Sequence, residues 1–560
     1  MEQGRLRTAL MAGVVTGALL VMGCGSPAQP AAPADGGAAS SQKEPALKRV
    51  VLSTLAPSNE TNDPRTERGP TNWQFRPFYE YLIGVDVSTG KYVGQLATEW
   101  KLEPNGKSFR FKLREGVKFH RGAGDWNADA FIDTWKVQIR DKEVNNYALW
   151  VDLVTDIQKT GPYEAVMHLK SPDGTGLLTI SEQRGVFYML NAKHFASLGN
   201  GTPTMDSGPA AGTGPYMYKE RSQGQYVRYE RSPDHWSIRP DFPEFEFRFA
   251  KEPSTRLASL IAGEVQMVDL PDDLKVEAIG RGYKLLAGKL PGLRSFMKIF
   301  CCHLIDHKNM DSGWDHPESP LADLRVRKAL SKAIDRDQLN KSLFRGKGGL
   351  MFNSHFHPTR DGWDPSWETR FKDEFGYDLE AAKKLLADAG YSAAKPLETN
   401  ILFPNEGYGY SGGDDIQEAI GAMWRNAGVK VNYLTMEIAN RRKLTDAQQL
   451  FNHIVLGGSS SDTWTGITTY GSAQGTALGT GMEIPEADKL LGKIRTTLDP
   501  KEQDAIWRQV GEVHYTQHRE IPLFWIPVEA AVDTKYVADW YYPGAITGAW
   551  THVYNIKAVK

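Results

Sequence analysis

The glycine-rich segment Gly407-Tyr408-Gly409-Tyr410-Ser411-Gly412-Gly413 offers two chemistries at once. Its G-x-G-x-x-G spacing, between a strand-like run at Asn400–Phe403 and a helical pattern, is that of a loop that cradles a pyrophosphate. Asp414 and Asp415 oppose that use, because they put negative charge at the helix start where a phosphate would sit. No cofactor is therefore expected. The same segment reads Gly409-x-Ser411-x-Gly413, the spacing of a nucleophile elbow. An elbow needs the strand to run directly into the serine, and Pro404–Tyr410 intervene, so a hydrolase using Ser411 stands only as an alternative. His355 and His357 place two imidazoles at i and i+2, on one face of an extended chain and the minimum of a transition-metal site. Pro358 follows, and the segment reads as a solvated loop without metal. Cys301 and Cys302 end an apolar run from Phe296. Adjacent cysteines close only a strained ring, so buried free thiols are expected, with a redox role left open.

These residues sit in a chain of 560 residues, enough for two or three compact units. Lys and Arg number 66 and Asp and Glu 68, a net charge of −2, so no basic surplus exists to neutralise a nucleic-acid backbone. The mean hydropathy is −0.45, and the single long apolar stretch lies near the N-terminus, which excludes a multi-span membrane protein. Three cysteines suffice neither for a disulfide scaffold nor for a four-cysteine zinc site.

Arg5 and Arg7 precede an apolar run from Ala9 to Met22, the charged and apolar regions of a secretory signal. The run ends Leu20-Val21-Met22-Gly23-Cys24, which resembles the lipobox of bacterial lipoproteins, with Cys24 the acylated residue; an ordinary signal carrying an incidental cysteine is the alternative. Gly25–Pro45 is almost wholly Gly, Ala, Pro and Ser, a composition that cannot bury enough surface to fold. As a flexible tether of about twenty residues it spans roughly 25 Å.

The elements that must position the chemistry alternate along the body. Val50-Val51-Leu52, Phe109–Leu113 and Phe245–Phe249 have strand patterns, and Asn127 caps a helix through Phe131, Trp135 and Ile139. Val326, Ala329, Leu330, Ala333 and Ile334 form one helical face. A second, from Leu379 to Ala389, is capped by Asp378 and stopped at Gly390. A third, through Ile416, Ile420, Met423 and Trp424, stops at Gly428, and the strand Val429, Val431, Tyr433 follows at once. Strand, helix and strand with short links imply an α/β body.

Several blocks together resemble one family, the family 5 extracellular solute-binding proteins of bacterial ABC importers, of the oligopeptide, dipeptide and nickel type. They are Leu96–Trp100 with Phe109–His120 and Asn127-Ala128-Asp129; Gly212–Tyr216 with Glu230–Trp236; Arg256–Val265; Leu324–Arg336; Asp378–Tyr391; and Ile521–Phe524. The resemblance covers residues 48 to 560. It implies an α/β, two-lobe periplasmic-binding-protein-like fold (type II, the large three-subdomain form) with a hinge and a ligand cleft between the lobes. Residues 1–23 would be the signal, 24–46 the lipidated cysteine and tether, 47–290 lobe I with an inserted subdomain at about 90–209, 291–524 lobe II, and 525–560 the return to lobe I. Trp100, His120 and Trp236 would serve packing.

The implied protein is a monomeric, non-enzymatic receptor at the periplasm or cell surface. It would be lipid-anchored to the membrane and would pass a small or peptide-like solute to ABC permease subunits. A sensory binding protein that signals without transport is the other alternative. In this reading the Gly407–Gly413 loop faces the cleft, with Glu406 as acceptor and Tyr408 and Tyr410 as amphipathic rings. In peptide-binding relatives, the stretch matching Asn452–Trp464 carries Gly-Trp and, three residues on, an aspartate that holds the peptide amine. Here Gly458 stands at the tryptophan position and the aspartate position falls on Ser461, or on Asp462 if the loop slips by one. Serines and the flat ring of Trp464 suit a ligand rich in neutral hydrogen-bonding groups. Cys24→Ser is expected to abolish membrane partition, read by fractionation of cells that express the full chain; unchanged partition would remove the anchor.

Overall fold

The computed structural model describes residues 44–560 except 58, 67–71, 87–90, 145–146, 184, 198–209, 289–292, 307–308, 405–412, 460–480 and 541–549. Three sheets organise it. In the seven-stranded sheet, the strands run Lys284–Ala287, Glu529–Val532, Met267–Val268, Arg49–Thr54, Glu244–Phe249, Tyr226–Arg231 and Tyr216–Ser222 from edge to edge. In the six-stranded sheet the order is Gly349–Leu350, Glu520–Ile526, Leu293–Phe300, His453–Ser459, Glu398–Pro404 and Lys430–Met436. A four-stranded antiparallel sheet pairs Ala97–Leu102, Ser108–Leu113, Glu164–Leu169 and Val154–Gly161 in that order.

The expected elements form where their patterns place them. Asn127 caps the helix Ala128–Gln138 by accepting from the Ala130 N–H at 3.0 Å, and Asp378 caps Leu379–Asp388 by accepting from Ala381 at 2.9 Å. Gly390 and Gly428 end their helices with φ of 92° and 88°, a conformation that glycine adopts without a Cβ penalty. The helix Leu324–Lys332 buries Val326, Ala329 and Leu330, and the helix Gly413–Asn426 buries Ile416, Ile420 and Trp424. Both faces belong to the same apolar core as Met297, Ile299, Ile401 and Leu456 of the six-stranded sheet. The Trp424 ring donates to the Leu330 carbonyl at 2.8 Å, which locks the two helices together.

The alternation in Glu244–Phe249 does not mark a wet face. Phe245 and Phe247 enter the aromatic core, while Glu246 is wholly buried on the opposite face. It accepts from Arg228 at 2.7 Å and Arg248 at 2.8 Å. Glu244 binds Arg49 and Lys219 in the same way. Burial opposes the Glu244 charge, and Lys219, Arg49 and Lys48 outweigh it, holding the carboxyl at about 2.

The four-stranded sheet has its own core, built on Phe109, Phe111, Trp126, Phe131, Trp150 and Phe187. The Gly212–Tyr216 block ties this unit to the seven-stranded sheet. His120 donates its backbone N–H to Gly212 at 2.8 Å, and its ring lies 2.7 Å from the Gly214 carbonyl. Trp236 donates to Glu80 at 3.1 Å, with Arg114 over its ring at 4.0 Å. A Cβ on Gly212 would stand 1.7 Å from the Phe78 carbonyl oxygen, so only glycine fits that backbone contact. Gly212→Ala is expected to destabilise by about 1–3 kcal/mol or more, as overpacking does. Gly280→Ala, whose Cβ meets nothing within 4 Å, is expected to be near neutral. Denaturant melts of the two variants check the contrast.

Candidate functional site

The two large sheets are joined by one antiparallel ribbon. Lys284–Ala287 pairs with Glu529–Val532 in the seven-stranded sheet, ending at Ala287 opposite Glu529. The same two chain segments pair again in the six-stranded sheet, beginning at Leu293 opposite Ile526. Between the sheets, the Gly288 N–H donates to the Val528 carbonyl at 2.9 Å. The chain thus passes between the sheets after Ala287 and again after Ile526, and the Gly288–Val528 hydrogen bond joins the two passages.

Strand register puts the strand ends that precede the candidate loops on one edge. His453–Ser459 lies antiparallel to Leu293–Phe300, with Ser459 opposite Arg294. Glu398–Pro404 runs parallel to His453–Ser459. Pro404 and Ser459 are therefore at the sheet edge where the ribbon enters at Leu293 and leaves at Ile526. Ligands of open α/β sheets bind at the carboxyl ends of parallel strands, and these are such ends. Glu406, Tyr408, Tyr410 and Ser411 follow Pro404, and Ser461, Asp462 and Trp464 follow Ser459; all seven, like Cys24, lie outside the described residues.

The far flank of the 460–480 segment is anchored at the other end of the strand Leu293–Phe300. A Cβ on Gly481 would stand 2.6 Å from the Ile299 carbonyl oxygen, and Arg519 donates to Met482 at 3.0 Å. Glu483 accepts from Leu304 at 2.6 Å and donates its own N–H to Cys302 at 3.2 Å. From beside Arg294 to beside Ile299 is five residues of strand, roughly 17 Å.

Charges are buried along the strands Leu293–Phe300 and Glu520–Ile526. Arg294, Lys298, His355, Arg519 and Glu520 are all 4% exposed or less. Arg294 donates to His355 Nδ1, and His355 Nε2 lies 2.7 Å from Glu520. Lys298 is opposite Glu520 in the strand register, and burial drives it well below the usual lysine range. Burial opposes the Glu520 charge, but His355 and Arg519 outweigh it and hold the carboxyl at about 2. Burial pushes His355 down to about 4 against the pull of Glu520.

Two expectations are corrected here. The His355–His357 segment is not a solvated loop. His355 is 1% exposed with a φ of 73°, so its ring enters the core, while His357 packs edge-on against Trp525 at 4.9 Å. The left-handed turn, not an extended chain, sets the two rings on different partners. Cys301 and Cys302 are not free thiols but a disulfide between neighbours. Both are fully buried, and Cys302 has a φ of 64° where the chain turns off the strand end. Among the described residues, no three His, Cys, Asp or Glu side chains are grouped to hold a metal.

A second charged cluster spans the ribbon. Glu529 of the seven-stranded sheet accepts from Arg345 and from Lys347 at 3.1 Å, both just ahead of Gly349–Leu350 in the six-stranded sheet. Arg345 also donates to Asp272 at 2.7 Å, and Lys275 bridges Asp272 and Glu529 at 3.1 and 3.2 Å. Burial opposes the Glu529 charge; Lys275, Lys347 and Arg345 outweigh it. Sequence reading missed this cluster, since its members are charged residues of ordinary spacing drawn from distant segments. It also missed Trp363 and Trp525, although the aromatic density of Phe352, Phe356, Trp363 and Trp367 was a visible signal.

Two α/β bodies on one paired ribbon, with the strand ends Pro404 and Ser459 beside it, make this the two-lobe fold of periplasmic binding proteins. The chain belongs to the bacterial extracellular solute-binding proteins, family 5, whose model (its middle region) matches residues 91–477. It is 23% identical over 383 residues to the Dipeptide-binding protein of Escherichia coli, covering 64% of this chain and 66% of that one. It is 25% identical over 480 residues to Heme-binding protein A of Haemophilus influenzae, covering 81% and 82%. The crystal structure of a dipeptide-binding protein from Pseudoalteromonas sp. SM9913 in complex with Met-Leu superposes with a TM-score of 0.73 at 20% identity, covering 91% of this chain and all of that one.

The buried histidines fix the sign of the pH dependence. His120, His355 and His518 are each pushed to about 4 by burial, whereas the unfolded chain takes up their protons near 6.5. The unfolded state then binds more protons, so stability falls as pH drops from about 6.5 to 4. Glu520 and Glu182, held at about 2, extend the fall below 4.5. Each histidine is expected to contribute on the order of 2 kcal/mol of loss by pH 5. His355→Gln is expected to flatten that slope, measured as melting temperature against pH between 7 and 5.

Proposed function

We propose that the protein is a lipid-anchored receptor outside the cytoplasmic membrane. It captures a peptide-like solute by closing two lobes on it and delivers it to an ABC permease. The observation that carries this reading is the ribbon. It is the sole covalent path between the two large sheets, and it passes beside the edge from which both candidate loops leave. A ligand held by those loops and by the opposite body would favour the closed state by its differential affinity for that state. Relatives named for dipeptides support a peptide-like solute. Catalysis is not required, because the ATPases that drive import would be separate chains.

Within the site, Glu406, Tyr408, Tyr410, Ser461, Asp462 and Trp464 are assigned to the ligand, and Cys24 to the lipid. Three successive serines, Ser459 to Ser461, favour neutral hydrogen bonds, and Asp462 is the one group in that stretch able to hold an amine. A charge-assisted bond in a closed cleft contributes about 1.5–3 kcal/mol. The protein and its Asp462→Ala variant are to be titrated calorimetrically with dipeptides and with the same dipeptides N-acetylated. Neutral recognition is expected to leave the variant's affinity within about twofold of the parent for both sets. A loss of tenfold or more confined to the free amines would show that Asp462 holds the amine. Saturation without a fall in the radius of gyration by small-angle scattering would refute closure.

A further inference from the structure

Beside the two crossings lies a cavity of about 320 Å³ that the receptor reading does not use. Phe352, His357, Trp363 and Trp525 line it, with Gly288 and Pro527 of the two crossings. All four rings are only half-buried, although Phe352 also packs on Phe371 and Trp363 on Trp367, so each keeps part of its surface toward the cavity. His357 stands edge-on to Trp525 at 4.9 Å, and Phe352 lies 6.3 Å from Trp363.

The polar groups at this wall are specific. His357 Nδ1 accepts from the Thr359 N–H at 3.2 Å, which places the ring proton of the neutral imidazole on Nε2. Among the described residues that Nε2–H has no partner. Burial, then Arg360, holds the ring at about 4, so it is neutral at pH 7. Lys347 also lines the cavity and directs one of its three N–H groups to Glu529. Around it, Lys275, Arg345 and Lys347 outnumber Asp272 and Glu529 by one positive charge.

We propose that this cavity is a second ligand site, built from residues other than those assigned to the solute, which takes a small flat ring carrying a carboxylate. Its volume is at the lower bound of ordinary small-molecule pockets, room for two fused rings and not for a chain of several residues. The aromatic rings offer faces and edges to a planar group. Lys347 and the Nε2–H of His357 supply the cation and the donor that a carboxylate needs, and the local surplus of positive charge favours an anion over a cation.

The test uses the full chain with 1-naphthoate as probe, followed by tryptophan fluorescence and calorimetry. Saturable one-to-one binding is expected, with the neutral 1-naphthalenemethanol roughly tenfold weaker. His357→Phe keeps a ring and removes the donor; Lys347→Met removes the cation. Each is expected to weaken naphthoate by roughly threefold to tenfold and to leave the neutral probe unchanged. Melting curves confirm that the variants fold, and His357→Phe, which breaks no ion pair, carries the test if Lys347→Met does not. No saturable binding, an affinity unaltered in the folded variants, or one-for-one displacement by a dipeptide that binds the cleft would each overturn the proposal.

Discussion

Everything in this fold hangs on two strands that stay paired while passing from one sheet to another. Ala287 faces Glu529 on one side and Leu293 faces Ile526 on the other, with the Gly288–Val528 hydrogen bond between. Two covalent links held side by side behave differently from one. A single link would let the bodies swing and twist freely, whereas a paired ribbon resists twist and leaves bending as the soft motion. Glu529 reinforces the pairing, because its cations Arg345 and Lys347 come from one body and Lys275 from the other. The cluster sits within two residues of a crossing, where a rotation displaces atoms least. Its ion pairs can therefore survive a change in the angle between the bodies.

Both large sheets bury charge on a face that sequence patterns ordinarily assign to water. In the seven-stranded sheet, Glu246 is wholly buried among arginines of its own and adjacent strands. In the six-stranded sheet, Arg294, Lys298 and Glu520 alternate with Phe296 and Pro522. Such charges are tolerated only when paired, since burial alone would neutralise them, and removing one partner of a buried pair costs about 3–5 kcal/mol. The pairing fixes register: a one-residue slip of Glu520–Ile526 would move Glu520 to the face packed by Met297 and Ile299. Charge here holds the register of the strands that flank the 460–480 segment, the stretch assigned to the ligand.

The elements were legible in the sequence wherever local physics decides them. Asn127 and Asp378 cap helices because their side chains reach backbone donors three residues on, and Gly390 and Gly428 stop helices because the left-handed turn tolerates no Cβ cheaply. Apolar periodicity located the helices on the six-stranded sheet, and the ordered family blocks located the fold. The order of strands within a sheet, the pairing of the two crossing strands and the Glu529 cluster were not legible, because their partners are far apart in the chain and nothing local records the pairing. Burial of His355 and closure of the Cys301–Cys302 disulfide were misjudged for a related reason. Each accompanies a left-handed backbone angle, the φ of 73° at His355 and 64° at Cys302, which a residue other than glycine seldom adopts. The sequence by itself thus determined the elements and the family. Tertiary structure alone decided that Pro404 and Ser459 share one edge beside the ribbon, because that edge is made by strands paired across 53 to 233 residues of chain.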